Sequence, residues 1–361
     1  MSPAETQRRV SNRPPRPTMK DVAAVAGVSP KTVSNVLTGA AGVRPATRQR
    51  VEAAIAELDF VPNLSARGLR SGRAGVIGVA LPDLSTAFSA SLSQTVVRQA
   101  HSRGIAVQIE ETAADPRREF DLVSRARAHH IDGLILNPVS LEDSVVEHVE
   151  HLPPVVLIGE VEQHRVDRVF IDSETASYQM TEHLISRGAR RIAVIGASGS
   201  SRGRHATPTL RYQGHHAALK AAQLSPDPRL EVGDVPWTMA GGARGMQRIL
   251  AAGETFDAVA AFTDSLAMGA LHVLSQRGIR VPEDVLVTGF DDVEHAQFTN
   301  PPLTTISFDH ADYVTAAFDL LSSRLDDRSL PPRAVCIPHQ VVTRGSTGAT
   351  PTGWSACGCG A

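Results

Sequence analysis

Residues 18–37 carry the sequence TMKDVAAVAGVSPKTVSNVL, in which apolar residues recur at helical spacing on both sides of a glycine. Thr18 is a capping residue before the first predicted helix, and Gly27 supplies a turn residue of high conformational freedom. Ser29 and Pro30 then stand at the N-cap and N1 positions of a second helix, where proline is tolerated. Two short helices joined by a short glycine-containing turn predict a helix-turn-helix, whose second helix enters the DNA major groove with its first turn.

The segments around this motif complete a small head. Pro45 to Leu58 predicts a third helix with its apolar residues on one face, and Phe60-Val61-Pro62 ends it. Residues 63–71 are too short to hold a helix alone in water, so we expect them to be helical only when another surface packs on them. The expected divisions are a flexible basic arm (1–17), a helix-turn-helix domain (18–62) and a hinge helix with linker (63–73).

Charge is unevenly distributed along the chain. Up to Arg73 the sequence has twelve lysine or arginine residues and five acidic residues, a net charge of +7, whereas all 361 residues together carry −2. The remainder is therefore acidic, with a net charge of −9. A basic head on an acidic body favours binding of a polyanion by the head alone. Small surface domains are also often basic by chance, so charge by itself does not establish DNA binding.

From Ala74 onward, short apolar runs alternate with helical stretches, which predicts parallel sheets built from right-handed β-α-β units. This part is longer than a single hydrophobic core usually supports, so we expect two similar α/β lobes with a cleft between them. The predicted strands are Val76–Leu81, Ile105–Ile109, Gly133–Leu136, Val155–Ile158, Ile192–Ile195, Ala258–Phe262 and Val285–Thr288. The predicted helices are Ser89–Arg103, Glu119–His129, Ala176–Arg187, Leu210–Ala222, Gly241–Ala251 and Ser265–Arg277. The expected fold class is an all-α helix-turn-helix head with a hinge helix, followed by an α/β body of two parallel-sheet lobes.

Other classes of protein find little support in the sequence. No apolar run approaches the roughly 20 residues that cross a bilayer, and no signal peptide opens the chain, so a cytoplasmic location is expected. The three cysteines, Cys336, Cys357 and Cys359, form no plausible disulfide framework, and the tail 348–361 is expected to be disordered. We find no nucleophile elbow, phosphate-binding loop, dinucleotide fingerprint or zinc helix motif. The sequence therefore predicts no enzymatic activity, no cofactor and no metal site.

Motifs along the whole chain point to one family. The head contains Asp21-Val22-Ala23, Ala26-Gly27-Val28-Ser29, Thr32-Val33-Ser34, Thr47-Arg48 and Phe60-Val61-Pro62-Asn63. The body contains Pro82-Asp83-Leu84, Asp132-Gly133-Leu134-Ile135-Leu136, Thr263-Asp264-Ser265-Leu266-Ala267-Met268-Gly269, Gly289-Phe290-Asp291-Asp292, Pro301-Pro302-Leu303-Thr304-Thr305-Ile306 and Arg344-Gly345-Ser346-Thr347. Over residues 18 to about 347 the chain thus resembles the lactose repressor family. The resemblance implies a bacterial transcription regulator whose body is similar to periplasmic sugar-binding proteins.

The resemblance also implies which head residues contact DNA. The family reads base edges at positions 30, 31 and 35, and Lys31 and Asn35 lie four residues apart on one helix face. Lys31 can donate to guanine and Asn35 can pair with adenine, although many relatives have arginine at the position of Asn35. The expected contacts are with base edges (Pro30, Lys31, Asn35) and with phosphate oxygens (Ser29, Thr32, Ser34). For Ser29 and Thr32 the alternative is helix capping and packing of the turn.

A second DNA contact is implied for the hinge, where Asn63 stands at the capping position. Leu69 is placed by the resemblance as an apolar wedge that a dimer's paired hinge helices push into the minor groove. Ala66 is small enough to let the two hinge helices approach each other. The alternative for Leu69 is an anchor onto the body.

Candidate ligand residues follow the predicted strand ends, where open α/β sheets bind ligands. A sugar needs planar donors and acceptors for its hydroxyls and an aromatic face for its C–H surface. The candidates are Asp83, Phe88, Asn137, Arg211, Trp237, Thr263, Asp264 and Asp291. Alternatively, Asp264 caps the helix that begins at Ser265, and Phe88 is plain core. Relatives usually have asparagine in place of Thr263, and aspartate and arginine are common in place of Gly159-Glu160.

The expected function is sequence-specific transcriptional regulation, with repression as the expected mode. The expected partners are double-stranded operator DNA, a small-molecule effector bound between the lobes and a second copy of the chain. A sugar or related polyol is the first choice of effector, and a nucleoside the second. Whether the effector releases DNA or promotes binding is left open. The alternative function is a cytoplasmic small-molecule-binding protein or sugar-processing enzyme without specific DNA binding.

Overall fold

The computed structural model describes residues 17–37, 40, 42–61, 73–113, 115–128, 131–138, 144–149, 151–161, 163–197 and 207–348. The chain divides into two compact units, one up to Gly72 and one from Arg73 onward. The predicted hinge (63–71), the tail from 349 and residues 1–16 of the predicted arm lie outside the described residues. The head and the body are therefore presented separately.

Within the described residues of the head, the helices are α1 (Met19–Ala26), α2 (Pro30–Leu37) and α3 (Pro45–Glu57). At the start of α1, the backbone N–H of Thr18 donates to Asp21 Oδ2 at 2.7 Å, which caps the first turn. Gly27 ends α1 with a φ of 62°, in the left-handed region that favours glycine. The apolar faces of the three helices meet in one small core, formed by Val22, Ala23, Ala26, Val33, Val36, Val51, Ala54 and Phe60. The predicted helix-turn-helix is confirmed.

The first lobe of the body contains one parallel sheet. Its strands are β1 (Val76–Leu81), β2 (Ala106–Glu111), β3 (Gly133–Leu136), β4 (Val155–Ile158), β5 (Asp167–Phe170) and β11 (Ala334–Cys336). They stand in the order β11-β5-β4-β3-β1-β2, with every pairing parallel. The helices of this lobe are α4 (Ala87–Ser102), α5 (Pro116–Arg127), α6 (Val145–His148) and α11 (His310–Asp326).

The second lobe repeats this arrangement with a smaller parallel sheet. Its strands are β6 (Ile192–Ile195), β7 (Glu231–Val232), β8 (Ala258–Ala261) and β9 (Leu286–Thr288), in the order β7-β6-β8-β9. Its helices are α7 (Ser173–Ser186), α8 (Thr207–Ala221), α9 (Met239–Ala251) and α10 (Asp264–Gln276). Short 3-10 turns occupy Pro228–Leu230, Glu294–Phe298 and Gly345–Thr347.

A two-stranded antiparallel ribbon joins the lobes. It pairs β10 (Thr305–Phe308) with β12 (His339–Val342). The chain passes between the lobes after β5, through β10 into α11, and again between β11 and β12. Each lobe has its own apolar core, and Phe88 packs against both of them. The predicted body of two parallel-sheet lobes is confirmed.

The seven strands and six helices predicted for the body are present, with ends that differ by a few residues. The structure adds β5, β7, β10, β11 and β12 and the helices α6 and α11. The added strands have two to four residues each, and β11 and β12 are partly exposed. Short, half-exposed strands lack the continuous apolar run by which a buried parallel strand is recognised in a sequence.

Candidate DNA-binding surface and ligand cleft

The start of α2 is capped by its own hydroxyl groups. Ser29 Oγ accepts from the backbone N–H of Thr32 at 3.1 Å and also lies 2.9 Å from Thr32 Oγ1. Ser29 is therefore the N-cap, and Pro30 is the first helical residue, as the sequence predicts. The capping role proposed as the alternative for Ser29 is present, and a hydroxyl in this position retains capacity for a second hydrogen bond.

One face of α2 packs on the head and the other presents polar side chains. Val33 and Val36 are buried, whereas Pro30 and Lys31 are exposed. Asn35 is half-buried one turn after Lys31, so the two side chains lie on the same side of the helix. Thr32 and Ser34 are half-buried as well. The remaining DNA-binding candidates, Asn63, Ala66 and Leu69, lie outside the described residues.

In the body, the candidate ligand residues lie at the carboxyl ends of strands from both sheets. Asp83 follows β1, Asn137 follows β3, Thr263 follows β8 and Asp291 follows β9. Arg211 belongs to α8, and Trp237 precedes α9. The sequence-based placement of these residues after strand ends is thus present in the structure, and it is the arrangement in which open α/β sheets bind ligands.

Arg211 is the most heavily engaged side chain of the cleft. It is 4% exposed, and its guanidinium lies over the Phe290 ring at 3.3 Å and over the Trp237 ring at 5.5 Å. Its Nη1 donates to the backbone carbonyl of Phe262, and its Nε donates to Ser173 Oγ at 3.3 Å. Burial lowers the pKa of Arg211, whereas the neighbouring carboxylates, Asp291 foremost, raise it. The planar fork of arginine suits such a set of partners.

Asp291 faces this guanidinium, with Oδ1 at 3.6 Å from Arg211 Nη2. Its φ is 105°, a strained value for a residue other than glycine. Two hydrogen bonds hold that backbone: its N–H donates to the carbonyl of Ile306 at 3.0 Å, and its carbonyl lies 3.1 Å from His310 Nε2. Burial raises the pKa of Asp291 to about 7, against the lowering effect of Arg211. The carboxylate is therefore fixed in place and costly to ionise.

Glu160 also belongs to this cluster, although we did not select it as a candidate from the sequence. It is 6% exposed, and it accepts from Ser173 Oγ at 2.7 Å and from Thr207 Oγ1 at 2.5 Å. Its charge raises the pKa of Asp291. The position of Glu160 just after the apolar run 155–158 was the signal that could have identified it.

Tyr313 is a second residue near this cluster that sequence reasoning missed. It is buried in the apolar core of the first lobe, close enough to Glu160 for that charge to act on its hydroxyl. Burial raises the pKa of Tyr313 well above its ordinary value, and the charge of Glu160 adds to the effect. Tyr313 lies in α11, far along the chain from the other members, so no local pattern connects it with them.

Asp264 lies deeper than the other candidates. It is 0% exposed, and its carboxylate accepts from Thr305 Oγ1 at 2.6 Å and from the backbone N–H of Val293 at 2.9 Å. Burial raises its pKa well above the ordinary value, and the charge of Asp291 adds to this. The helix begins at Asp264 rather than Ser265, and the cap is Thr263, whose Oγ1 accepts from Leu266 N–H at 3.2 Å. Asp264 thus connects the ribbon strand β10 with the segment that follows β9.

Asp83, Phe88 and Asn137 are each half-buried. The Phe88 ring lies 6.2 Å from Phe308 and 5.7 Å from the His310 ring. Asp83 Oδ1 accepts from the N–H of Ser85 at 2.8 Å. Asn137 lies beside Gly159: a Cβ added to Gly159 would be 3.1 Å from Asn137 Oδ1. Phe88 is partly buried and packs against the apolar cores, which is the core role given above as its alternative.

The described residues contain no group of three or more His, Cys, Asp or Glu side chains that could hold a metal ion. In the same residues, every helix is too short or too polar to span a bilayer.

Comparison with known proteins matches both parts of this architecture. Residues 18–63 match the family described as bacterial regulatory proteins, lacI family, and residues 181–347 match the periplasmic binding protein-like domain. The chain is 31% identical to the transcriptional repressor CytR of Escherichia coli over 339 residues. This alignment covers 92% of this chain and 97% of that protein. The chain belongs to the lacI family.

Two solved structures are similar over almost the whole chain. The lac repressor dimer bound to operator and an anti-inducer is 27% identical, with a TM-score of 0.77, over 93% of this chain and 100% of that one. A complex of the transcriptional regulator CelR with cellobiose is 29% identical, with a TM-score of 0.67, over 92% of this chain and 100% of that one. The protein is accordingly a DNA-binding transcriptional regulator of this family and not an enzyme.

Proposed function

We propose that this regulator represses transcription as a homodimer that binds a near-palindromic operator, and that an effector in the body cleft sets its operator affinity. One observation carries the proposal. A single chain combines a helix-turn-helix with Lys31 exposed at the start of α2 and a body with charged side chains at the carboxyl ends of two sheets. The similarity to the lac repressor dimer on its operator supports the dimer and the DNA partner.

For the DNA contacts, we propose that Lys31 and Asn35 read base edges beside Pro30. The hydroxyls of Ser29, Thr32 and Ser34 would bind phosphate oxygens and so fix the register of the head. Asn63, Ala66 and Leu69 would form the hinge that enters the minor groove. The exposure of Lys31 and its helical spacing from Asn35 support the first part of this assignment.

For the effector, we propose a sugar bound by Arg211 and Asp291, with Phe88 and Trp237 against its C–H surface. Asp83, Asn137 and Thr263 would complete the polar lining, whereas Asp264 would act mainly by holding β10 in place. The CelR complex with cellobiose supports a sugar. Effector control requires different ligand affinities in the two conformations of the body.

We further propose the domain division 1–17, 18–62, 63–73, 74–347 and 348–361, and action in the bacterial cytoplasm, where the operator is. Both proposals rest on the family of the chain. The domain division rests also on the boundary between the two compact units, which falls between Gly72 and Arg73 in the sequence.

A gel shift with the upstream region of the protein's own gene tests the proposal. Lys31→Ala should lower the preference for that duplex over random DNA by about 1–3 kcal/mol, the usual value of one base contact. Lys220→Ala is the matched control, since Lys220 is exposed at the end of α8 in the body. Equal loss of specific and random binding in Lys31→Ala would refute the base contact, and a wild-type protein without sequence preference would refute the proposed function.

A further inference from the structure

The first residues of the body are held by one carboxylate. Asp132 Oδ1 accepts from the backbone N–H of Ala74 at 2.5 Å, and Asp132 Oδ2 accepts from that of Gly75 at 2.7 Å. The N–H of Asp132 donates in turn to the carbonyl of Val76 at 2.7 Å. One residue thus fixes three consecutive residues, at the point of the sequence where the segment 63–72 is followed by the body.

The side chain that precedes these residues is bound to the end of a helix. Arg73 Nη2 donates to the carbonyl of Leu325 at 3.0 Å and to Asp326 Oδ1 at 2.8 Å. Leu325 and Asp326 are the last residues of α11, where carbonyls have no partner inside the helix and a positive charge is favourable. We call these contacts of Arg73, together with those of the Asp132 carboxylate, the root clamp.

Both sides of the root clamp belong to the tightly packed part of the first lobe. Arg324 Nη2 donates to Asp167 Oδ2 at 3.0 Å, and Asp167 is 0% exposed, so the end of α11 is fixed to β5. Gly133, next to Asp132, packs so closely on α11 that an added Cβ would lie 2.8 Å from Leu321 Cδ1. The root clamp therefore joins the chain to two elements that pack on each other.

The second lobe contains the same kind of carboxylate contact. Asp257 accepts from the backbone N–H of Arg190 at 2.8 Å and from that of Arg191 at 3.0 Å, just before β6. In each lobe an aspartate before one strand thus holds the residues that enter the neighbouring strand. The contact has a role in folding in both lobes. In the first lobe the residues that it holds also follow the segment that links the head to the body in the sequence.

The length of chain between body and head limits where a head can reach. Without the root clamp, Arg73 and Ala74 would join that chain and lengthen it by up to about 7 Å in each protomer. Gly75 would stay in place, because its carbonyl accepts from the N–H of Ala106 at 2.9 Å. One base pair occupies about 3.4 Å of a duplex, so the added length is that of about two base pairs.

We infer that Asp132 and Arg73 are positioning residues that restrict the half-site spacing that a dimer accepts, although both lie in the body. This rests on the proposed function, since spacing has a meaning only for a dimer on two half-sites. It deepens that function, because it assigns part of the operator specificity to residues outside the head.

Fluorescence anisotropy with the full-length protein tests the inference. A duplex that the protein binds specifically, taken from the upstream region of its own gene, is remade with one or two base pairs inserted or removed between the half-sites. The readout is the spacing ratio, which is the affinity for the original duplex divided by that for an altered one. We expect at least about tenfold for the wild type, because each base pair moves a half-site by about 3.4 Å and turns it by about 35°.

Asp132→Asn replaces one accepting oxygen by an amide group that cannot accept a hydrogen bond. It should narrow the spacing ratio about fivefold, the effect of roughly 1 kcal/mol, which one hydrogen bond usually contributes. Asp257→Asn is the matched control, because it makes the same change in the second lobe, and it should leave the spacing ratio unchanged. Reduced stability alone lowers the apparent affinity for every duplex equally and so does not alter the ratio.

Arg73→Gln is a second variant, which leaves the apolar core intact because Arg73 is exposed. It should narrow the spacing ratio about twofold, as expected for an exposed ion pair. Should Asp132→Asn fail to fold, Arg73→Gln alone decides.

A spacing ratio unchanged in both variants would overturn the inference, as would an equal narrowing in Asp257→Asn. A wild type that binds all spacings equally would overturn it as well. A wild type without any sequence preference would instead contradict the proposed function itself.

Discussion

A buried histidine makes the second lobe sensitive to acid. His215 is 1% exposed, and its Nδ1 lies 2.9 Å from Thr181 Oγ1. The Thr181 hydroxyl donates its hydrogen to the carbonyl of Ser177 at 2.8 Å, so His215 Nδ1–H must be the donor toward Thr181. The other nitrogen, Nε2, is buried without a hydrogen-bond partner among the described residues. A proton added there would be a buried, unpaired charge.

The size of the effect follows from the pKa. Burial, and secondarily the charge of His216, lowers the pKa of His215 from 6.5 to about 3. Between these values the unfolded chain binds a proton that the folded chain does not, so the free energy of unfolding falls as the pH is lowered. At pH 5 this one group contributes a loss of about 2 kcal/mol, since each pKa unit corresponds to roughly 1.4 kcal/mol. The loss is absent above pH 7.

Urea unfolding of the wild type and His215→Gln at pH 7.5 and pH 5 measures this contribution. Tryptophan fluorescence suits the assay, because Trp237 lies in the second lobe. The variant should gain about 2 kcal/mol relative to the wild type between the two pH values. The raised pKa of Asp291 has the opposite sign, with stability decreasing as the pH rises toward 7, but it is common to both proteins and cancels in the difference.

The matched control is His101→Gln, because the His101 side chain is exposed on α4 and has similar surroundings in the folded and the unfolded chain. We expect its pH dependence to follow that of the wild type closely. If His215→Gln and the wild type lost the same free energy between pH 7.5 and pH 5, the argument from the buried unpaired nitrogen would be refuted.

Two further substitutions test the packing and the cleft. Helix propensity alone would make Gly214→Ala about 1 kcal/mol more stable. The added Cβ, however, would lie 2.0 Å from the Glu174 carbonyl oxygen. We therefore expect the free energy of unfolding, measured in urea, to fall by about 3 kcal/mol or more. An exposed Ala217→Ser on the same helix should stay within about 0.5 kcal/mol, and a stabilised Gly214→Ala would contradict the close contact of α7 and α8. Arg211→Lys cannot reach all the partners of the guanidinium at once, so anisotropy should show operator binding retained and the response to effector lost. An unaltered response in that variant would remove Arg211 from the proposed site.

Local physical chemistry explains why much of the head was predictable. The cap at Ser29, Pro30 at N1 and the turn at Gly27 each depend on a few neighbouring residues, and all three are present. The buried strands of the body were predictable for a similar reason, because a continuous apolar run such as 155–158 marks a strand covered on both faces.

The contacts among the cleft residues could not be predicted from the sequence. Arg211 and Asp291 were selected as candidates, but their 3.6 Å approach depends on tertiary contacts, such as that of the guanidinium with the Phe290 ring, which no local pattern predicts. Tyr313 lies in α11, and no periodicity connects it with Glu160, which is far away in the sequence. For Asp264 the sequence allowed a cap or a ligand contact. The structure assigns the cap to Thr263 and gives the Asp264 carboxylate distant partners in Thr305 and Val293, which no local pattern indicates.

Selection of binding sites from a randomised duplex library by the full-length protein tests the central claim most directly. The account predicts an enriched sequence with two half-sites related by a two-fold axis, bound about 10³-fold or more tightly than random duplex, and with affinity that falls steeply as salt rises. It also predicts that Lys31→Ala relaxes the selection at one symmetric pair of base positions. A library that emerges without any enriched sequence would contradict the account.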